Sequence, residues 1–185
     1  MDFWIALLGI VALIFAYPYI RCFFKRLICA RKLMKICRKK NYFLSKTHLF
    51  WFLGGKHSER CDCYIETPTE VFAVKLFGVK RRLTVLMLKT NGEYFIRSFI
   101  AFGTGAHIAL NSKSRALPRY NFRYSYKDEW EIKTPRNIFL VNPAAMEIRR
   151  KSDNGTETIV GVGETVNGME ISTLARFWGE LESLI

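Results

Sequence analysis

The feature that most constrains this chain is its beginning. From Phe3 to Ile20 the sequence reads FWIALLGIVALIFAYPYI, 18 residues without a charge. As a helix this stretch measures about 27 Å, close to the hydrocarbon thickness of a bilayer. Trp4 stands near one end and Tyr17 and Tyr19 near the other, where amphipathic rings favour the headgroup level. Pro18 is expected in the last turn, where a lost backbone bond is satisfied near the interface. A signal peptide would have a basic start and a small-x-small cleavage site. This chain begins Met-Asp and leaves the segment through Tyr-Pro-Tyr-Ile-Arg, so a retained membrane helix over residues 1–20 is the expectation.

Charge supports that reading. The 185 residues carry a formal net charge of +13, which taken alone suggests a nucleic-acid partner. Residues 1–58 hold +10 of it, and residues 59–185, with 18 basic and 15 acidic side chains, hold only +3. Nine bases crowd the stretch after the span: Arg21, Lys25, Arg26, Arg31, Lys32, Lys35, Arg38, Lys39 and Lys40. Bases beside a span stay on the cytoplasmic side, which predicts a single-pass protein of the plasma membrane with its C-terminal domain in the cytoplasm. These nine are the candidate lipid-binding residues, each surface base adding about 1 kcal/mol on an anionic leaflet. The expected partners are therefore the membrane, through residues 3–20 and anionic headgroups, and a protein. A cationic patch held against lipid argues against nucleic acid.

Residues 21–40 also show helical spacing of apolar side chains: Phe23, Leu27, Ala30, Met34 and Cys37, widened by Phe24, Ile28, Leu33 and Ile36. Such a basic amphipathic helix lies on the leaflet or packs its apolar face on its own domain; both remain open. Cys22, Cys29 and Cys37 follow roughly the same stripe, as small buried hydrophobes or as juxtamembrane acylation sites. Five cysteines in a reducing compartment do not make a disulfide framework. Cys61 and Cys63, expected on one face of a strand, have no second ligand cluster after them, so no metal is expected.

After a linker at residues 41–60, the pattern over 61–185 turns to alternation and β-branched or aromatic residues. Strands are expected at Cys61–Thr67, Glu70–Phe77, Arg82–Lys89, Glu93–Ala101, Asn137–Val141, Ala144–Arg150 and Thr158–Val162. Thr90-Asn91-Gly92 marks a hairpin between two of them. His107–Asn111 reads as a helical turn or a loop. Tyr120, Phe122, Tyr124 and Tyr126 form an aromatic stripe, expected to face a core, with Arg119 and Arg123 beside it as the alternative nucleic-acid surface. Ser172 should cap a final helix, Thr173–Leu184. The fold class is α+β: a membrane helix, a basic amphipathic helix, and a mainly antiparallel β-rich domain closed by a C-terminal helix.

No catalytic constellation is apparent. His107 is the sole histidine after residue 60, no Gly-x-Ser-x-Gly elbow exists, and Gly161, Gly163 and Gly168 do not have dinucleotide-binding spacing. Acid pairs, Glu66 with Glu70 and Glu180 with Glu182, resemble turn and helix-surface residues, as do Asp128, Glu129 and Glu131. No cofactor is expected.

One local pattern carries chemistry. Arg60–Gly78, RCDCYIETPTEVFAVKLFG, resembles the strand–turn–strand of the nuclease-related domain and the wider restriction-endonuclease-like folds. The resemblance implies an Mg²⁺ site in which an Asp opens one strand and a Glu-x-Lys lies on the next. Asp62 matches the Asp and Lys75 the Lys, while Ala73 stands where the family has its acid. Asp62 and Lys75 are thus the candidate catalytic residues of an alternative, membrane-tethered and degenerate nuclease-like reading. The favoured expectation is a non-catalytic cytoplasmic docking or sensing module on a membrane anchor.

Overall fold

The computed structural model describes residues 2–45, 61–79, 83–101, 107–116, 135–142 and 144–184. It opens with one uninterrupted helix, α1 (Asp2–Lys40), 39 residues long and about 58 Å from end to end. The expected membrane helix and amphipathic helix are therefore a single element, and Pro18 lies in its interior rather than in a last turn. Nothing between Ile20 and Lys40 forces a break, since the stretch contains no Gly or Pro.

Helix α1 stops at Asn41, whose positive φ of 57° places it in the left-handed region that asparagine tolerates. Tyr42 N–H donates to Cys37 O at 2.8 Å, and Asn41 N–H to Arg38 O at 3.4 Å, which satisfies two carbonyls of the last turn. Arg38, Lys39 and Lys40 in that turn complement the negative end of the helix dipole.

Two six-stranded sheets follow. The first runs β1-β2-β3-β8-β12-β11, formed by Phe43–Ser45, Cys63–Glu66, Val71–Phe77, Arg136–Val141, Met169–Ser172 and Thr165–Val166. The second runs β10-β9-β4-β5-β6, formed by Glu157–Ile159, Glu147–Lys151, Thr84–Lys89, Glu93–Ala101 and His107–Asn111, with β7 (Arg115–Ala116) paired to β5. Helix α2 (Leu174–Ser183) closes the chain.

The fold is mixed α+β, and the expectation of mainly antiparallel strands is corrected. Strands β1, β2 and β3 are antiparallel, but β3 pairs β8 in parallel, β8 pairs β12 in parallel, and β4 pairs β9 in parallel. The cause is the route of the chain. It leaves the first sheet at Phe77, builds part of the second, and re-enters at Arg136 beside the start of β3. Alternation reports which face a residue takes, not the direction of its neighbour.

Three layers result, because the middle sheet is apolar on both faces. One face receives Cys29, Ala30, Leu33, Ile36 and Cys37 of α1 and Phe177 and Leu181 of α2, packed on Cys63, Ile65, Phe72, Val74, Leu76, Ile138 and Leu140. Phe72 and Phe177 meet edge to face at 5.4 Å. The other face carries Cys61, Ala73, Phe139, Val141 and Ile171 against Leu86, Leu88 and Tyr94 of the second sheet. Of the apolar stripe of residues 21–40, Ala30, Leu33, Ile36 and Cys37 pack on the chain's own domain, one of the two outcomes left open, while Phe23, Phe24 and Ile28 are exposed.

Smaller corrections have local causes. His107–Asn111 is strand β6, fixed by antiparallel pairing with β5 from Arg97↔Asn111 to Ala101↔His107. Phe43–Ser45, inside the expected linker, adds an edge strand to β2. Ser172 ends β12, and the cap of α2 is Thr173, whose hydroxyl accepts from Arg176 N–H at 3.4 Å. The Thr90-Asn91-Gly92 hairpin joins β4 to β5 as expected, with Gly92 at φ 80°. The aromatic stripe at Tyr120, Phe122, Tyr124 and Tyr126, with Arg119, Arg123, Asp128, Glu129 and Glu131, lies outside the described residues.

Candidate functional site

Asp62 and Lys75 do converge. Asp62 sits at a bend just before β2 and Lys75 on β3, with Lys75 Nζ 3.8 Å from Asp62 Oδ2. The nearer partner is a base from α1: Arg26 Nη2 donates to Asp62 Oδ1 at 2.6 Å, and Arg26 Nη1 to Leu76 O at 3.4 Å. Leu76 N–H donates to Asp62 Oδ2 at 2.7 Å, while Asp62 N–H donates to Val74 O at 2.9 Å. Asp62 is buried, at 3% exposure, so its charge is met by one guanidinium, one ammonium and one backbone amide rather than by water. Burial pulls the Lys75 ammonium below the usual lysine range, against the attraction of Asp62 and with repulsion from Arg26.

The face on which chemistry would occur is covered. On β3, Ala73 and Lys75 are two residues apart and so share a face. Ala73 is fully buried among Leu86, Leu88, Phe139 and Ile171 between the two sheets. A carboxylate at this position would sit in an apolar layer, and both oxygens of Asp62 already accept hydrogen bonds. These residues do not fit the carboxylate-bound Mg²⁺ that the nuclease resemblance implies. Glu66 lies at the far end of β2, opposite Val71. Glu70 is 3.3 Å from Arg136 Nη1.

What the cluster does is join elements. Arg26 ties α1 to the start of β2 and the end of β3, and Asn142 Nδ2, just after β8, donates to Lys25 O at 3.1 Å. At the other end of the packed half of α1, Lys40 Nζ and Tyr42 Oη donate to Leu184 O at 3.2 and 3.0 Å, and Lys39 Nζ lies 3.3 Å from Glu182 Oε1. Of the nine candidate lipid-binding bases, Arg26, Lys39 and Lys40 therefore have partners inside the protein. Lys25, Arg31, Lys32, Lys35 and Arg38 are exposed and Arg21 is half-buried.

The cysteines divide by layer. Cys29 and Cys37 are buried in the helix-side core, as small hydrophobes. Cys61 and Cys63, expected on one face, belong to opposite cores, because the bend at Asp62 separates them. Burial pushes both thiols up from the ordinary range. No group of three or more metal-ligating side chains occurs among the described residues.

A second cluster has no local signature in the sequence. Arg136, at the start of β8, is bridged to Glu70 before β3, Glu170 on β12 and Glu180 on α2, and its guanidinium lies 5.5 Å from the Phe72 ring. Burial works against its charge, but the hydrogen bonds it donates to Glu170 and Glu180, with their negative charge, outweigh burial and push its pKa further up. Glu70 and Arg136 are 66 residues apart and Glu170 a further 34, so only the folded sheet order brings them together.

Comparison with protein-family models, with curated proteins and with solved structures found no match. The geometry alone carries the functional reading. Helix α1 is long and apolar enough to cross a membrane, and the side chains of Trp4, Leu8, Ile14 and Phe15 in its first half are exposed.

Proposed function

We propose that this is a single-pass protein of the plasma membrane, with residues 3–20 crossing the bilayer and the three-layer domain on the cytoplasmic side. The domain serves as a non-catalytic docking or sensing module. The observation that carries this reading is the continuity of α1. Its first half exposes apolar side chains to the surroundings, and its second half supplies Cys29, Ala30, Leu33, Ile36 and Cys37 to the domain core.

The collar on the leaflet is then narrower than nine residues. Arg21 and Lys25 lie within about 8 Å of Ile20 along the helix axis, inside one Debye length, whereas Lys40 lies about 30 Å away. The partner is a protein reached from the cytoplasm, or the leaflet itself. Arg26–Asp62 supports this reading over a nuclease, because it commits the candidate catalytic acid to holding the anchor.

The test is alkaline carbonate extraction of membranes containing the full chain, followed by protease digestion of sealed vesicles of known sidedness. The protein should remain with the lipid, and residues 61–184 should be cut only from the cytoplasmic side. Release by carbonate, or digestion from the outer side, refutes the reading. In the nuclease-like alternative, the purified chain cleaves DNA or RNA with Mg²⁺ and Lys75→Ala abolishes cleavage; no cleavage is expected.

A further inference from the structure

We infer that the end of the domain nearest the span makes a second contact with the same membrane, through the apolar side chains of Leu83, Ile108, Leu110 and Met146 inserted at the boundary of headgroups and acyl chains. The inference rests on the membrane-span reading above and extends it from the helix to the domain.

The direction of α1 fixes which end this is. Arg26 meets Asp62 and Leu76 O, at the finish of β3, and Lys25 O meets Asn142 at the finish of β8. Lys40 lies at the other end, where the chain passes into β1, and Phe43 pairs with Glu66, itself opposite Val71 at the beginning of β3. The packed half of α1 therefore runs opposite to β3, and the finishing ends of β3 and β8 face the span. From Ile20 to Arg26 the helix rises only about 9 Å.

The second sheet reaches the rest of the way. It begins at this same end, because β4 and β9 follow β3 and β8, and Met146 N–H donates to Thr84 O at 2.8 Å. Thr84 pairs with Ser98, yet β5 continues to Ala101, paired there with β6. Three residues of strand add about 10 Å beyond the Thr84 row.

Ile108 lies on this overhang and Leu83, Leu110 and Met146 lie at its base, and all four are apolar and uncovered. Leu83, Ile108, Leu110 and Met146 have 42–52% of their surface exposed. Ile108 and Leu110 stand opposite Ile100 and Ser98 across the ladder and so share one face of the hairpin, while Met146 stands beside Thr84 and Leu83, one residue nearer this end, accepts from Phe99 N–H. Such a grouping on one end of a domain is an interaction surface. The exposed base Lys25, held through its carbonyl at the finish of β8 on this same end, suits an anionic leaflet. A shallow insertion of 5–10 Å is the depth at which apolar side chains of interfacial elements settle.

The experiment places the full chain in liposomes of phosphatidylcholine and phosphatidylglycerol with a diazirine-bearing phospholipid, irradiates it, and maps lipid adducts by mass spectrometry. Phe43, an exposed apolar residue at the opposite end, is the internal reference. Adducts are expected in residues 3–20, and at Leu83, Ile108 and Met146 about fivefold above Phe43. The double variant Ile108→Glu, Met146→Glu should keep the adducts in 3–20 and lose about fivefold at Leu83. Adducts in 3–20 with the rim no higher than Phe43 overturn the second contact and leave the span intact. Absence of adducts in 3–20 overturns the span reading, and the second contact with it.

Discussion

The Arg26 guanidinium and the Asp62 carboxylate, 2.6 Å apart, join helix α1 to the first long hairpin of the central sheet. Arg26 keeps some access to water, and Asp62 keeps almost none. Removing the base leaves a buried acid with Lys75 as its remaining charged partner. Arg26→Ala should therefore destabilise the domain by about 3 kcal/mol, read by chemical denaturation of the full chain in detergent. Adding Asp62→Asn should restore a large part of that loss, and a double-mutant cycle that is simply additive would show that the two do not interact.

Lys75 provides a pH signature. Its folded pKa lies below the ordinary lysine value of 10.5, chiefly through burial. Between the folded and unfolded values the unfolded chain binds more protons, so raising the pH favours the folded state. Stability of the wild type relative to Lys75→Met should rise as pH climbs toward 10.5. A difference that stays flat from neutral pH to that point would contradict the burial of a charged ammonium.

Restoring the acid that the nuclease pattern lacks should fail. Ala73→Glu places a carboxyl between the sheets, where desolvation raises a glutamate by about 4 units, so that at neutral pH it is buried protonated at a cost of about 4 kcal/mol. The variant should unfold at markedly lower temperature and gain no Mg²⁺-dependent cleavage of DNA or RNA. A stable Ala73→Glu protein that cuts nucleic acid would reinstate the catalytic reading.

At the opposite end of the middle sheet, Arg136→Met should cost about 2 kcal/mol, since Glu70, Glu170 and Glu180 lose their shared cation. Arg136→Lys should recover less than half of that, because a single ammonium cannot reproduce a planar fork contacting several carboxylates. Thermal unfolding of the three proteins side by side makes the comparison.

Phe177→Ala tests how far α2 closes the helix-side core. The ring is fully buried against Phe72, and its loss should cost about 4 kcal/mol. Membrane retention of this variant should be unchanged, since Phe177 lies far from the apolar half of α1. Loss of both properties together would mean that the span and the domain do not fold as separable units.

What could be read from the sequence follows the range of each signal. Thr90-Asn91-Gly92 was legible because a tight turn is encoded by adjacent residues, and the helical spacing of Leu33, Ile36 and Cys37 because one face repeats within two turns. Met169–Ser172 is too short to show a period, and His107–Asn111 takes its form from pairing with β5 rather than from its own residues. Strand direction was not legible, since β3 and β8 are joined through another sheet. Asp62 and Lys75 were found through a local pattern, but the partner that decides their role is Arg26, 36 residues earlier, in a stretch whose bases all appeared equivalent.

A domain whose first core helix is also its stalk has no swivel. With α1 unbroken from Asp2 to Lys40, rotation of the apolar half about its axis turns the sheets by the same angle, and a tilt of one is a tilt of the other. With α1 crossing a bilayer as proposed, molecules on the same leaflet would meet this domain at a fixed height and attitude. Part of the rotational freedom normally lost on association is already gone before contact, so a modest surface suffices for recognition. Helix–helix contacts inside the bilayer and sheet contacts outside it become a single geometric problem.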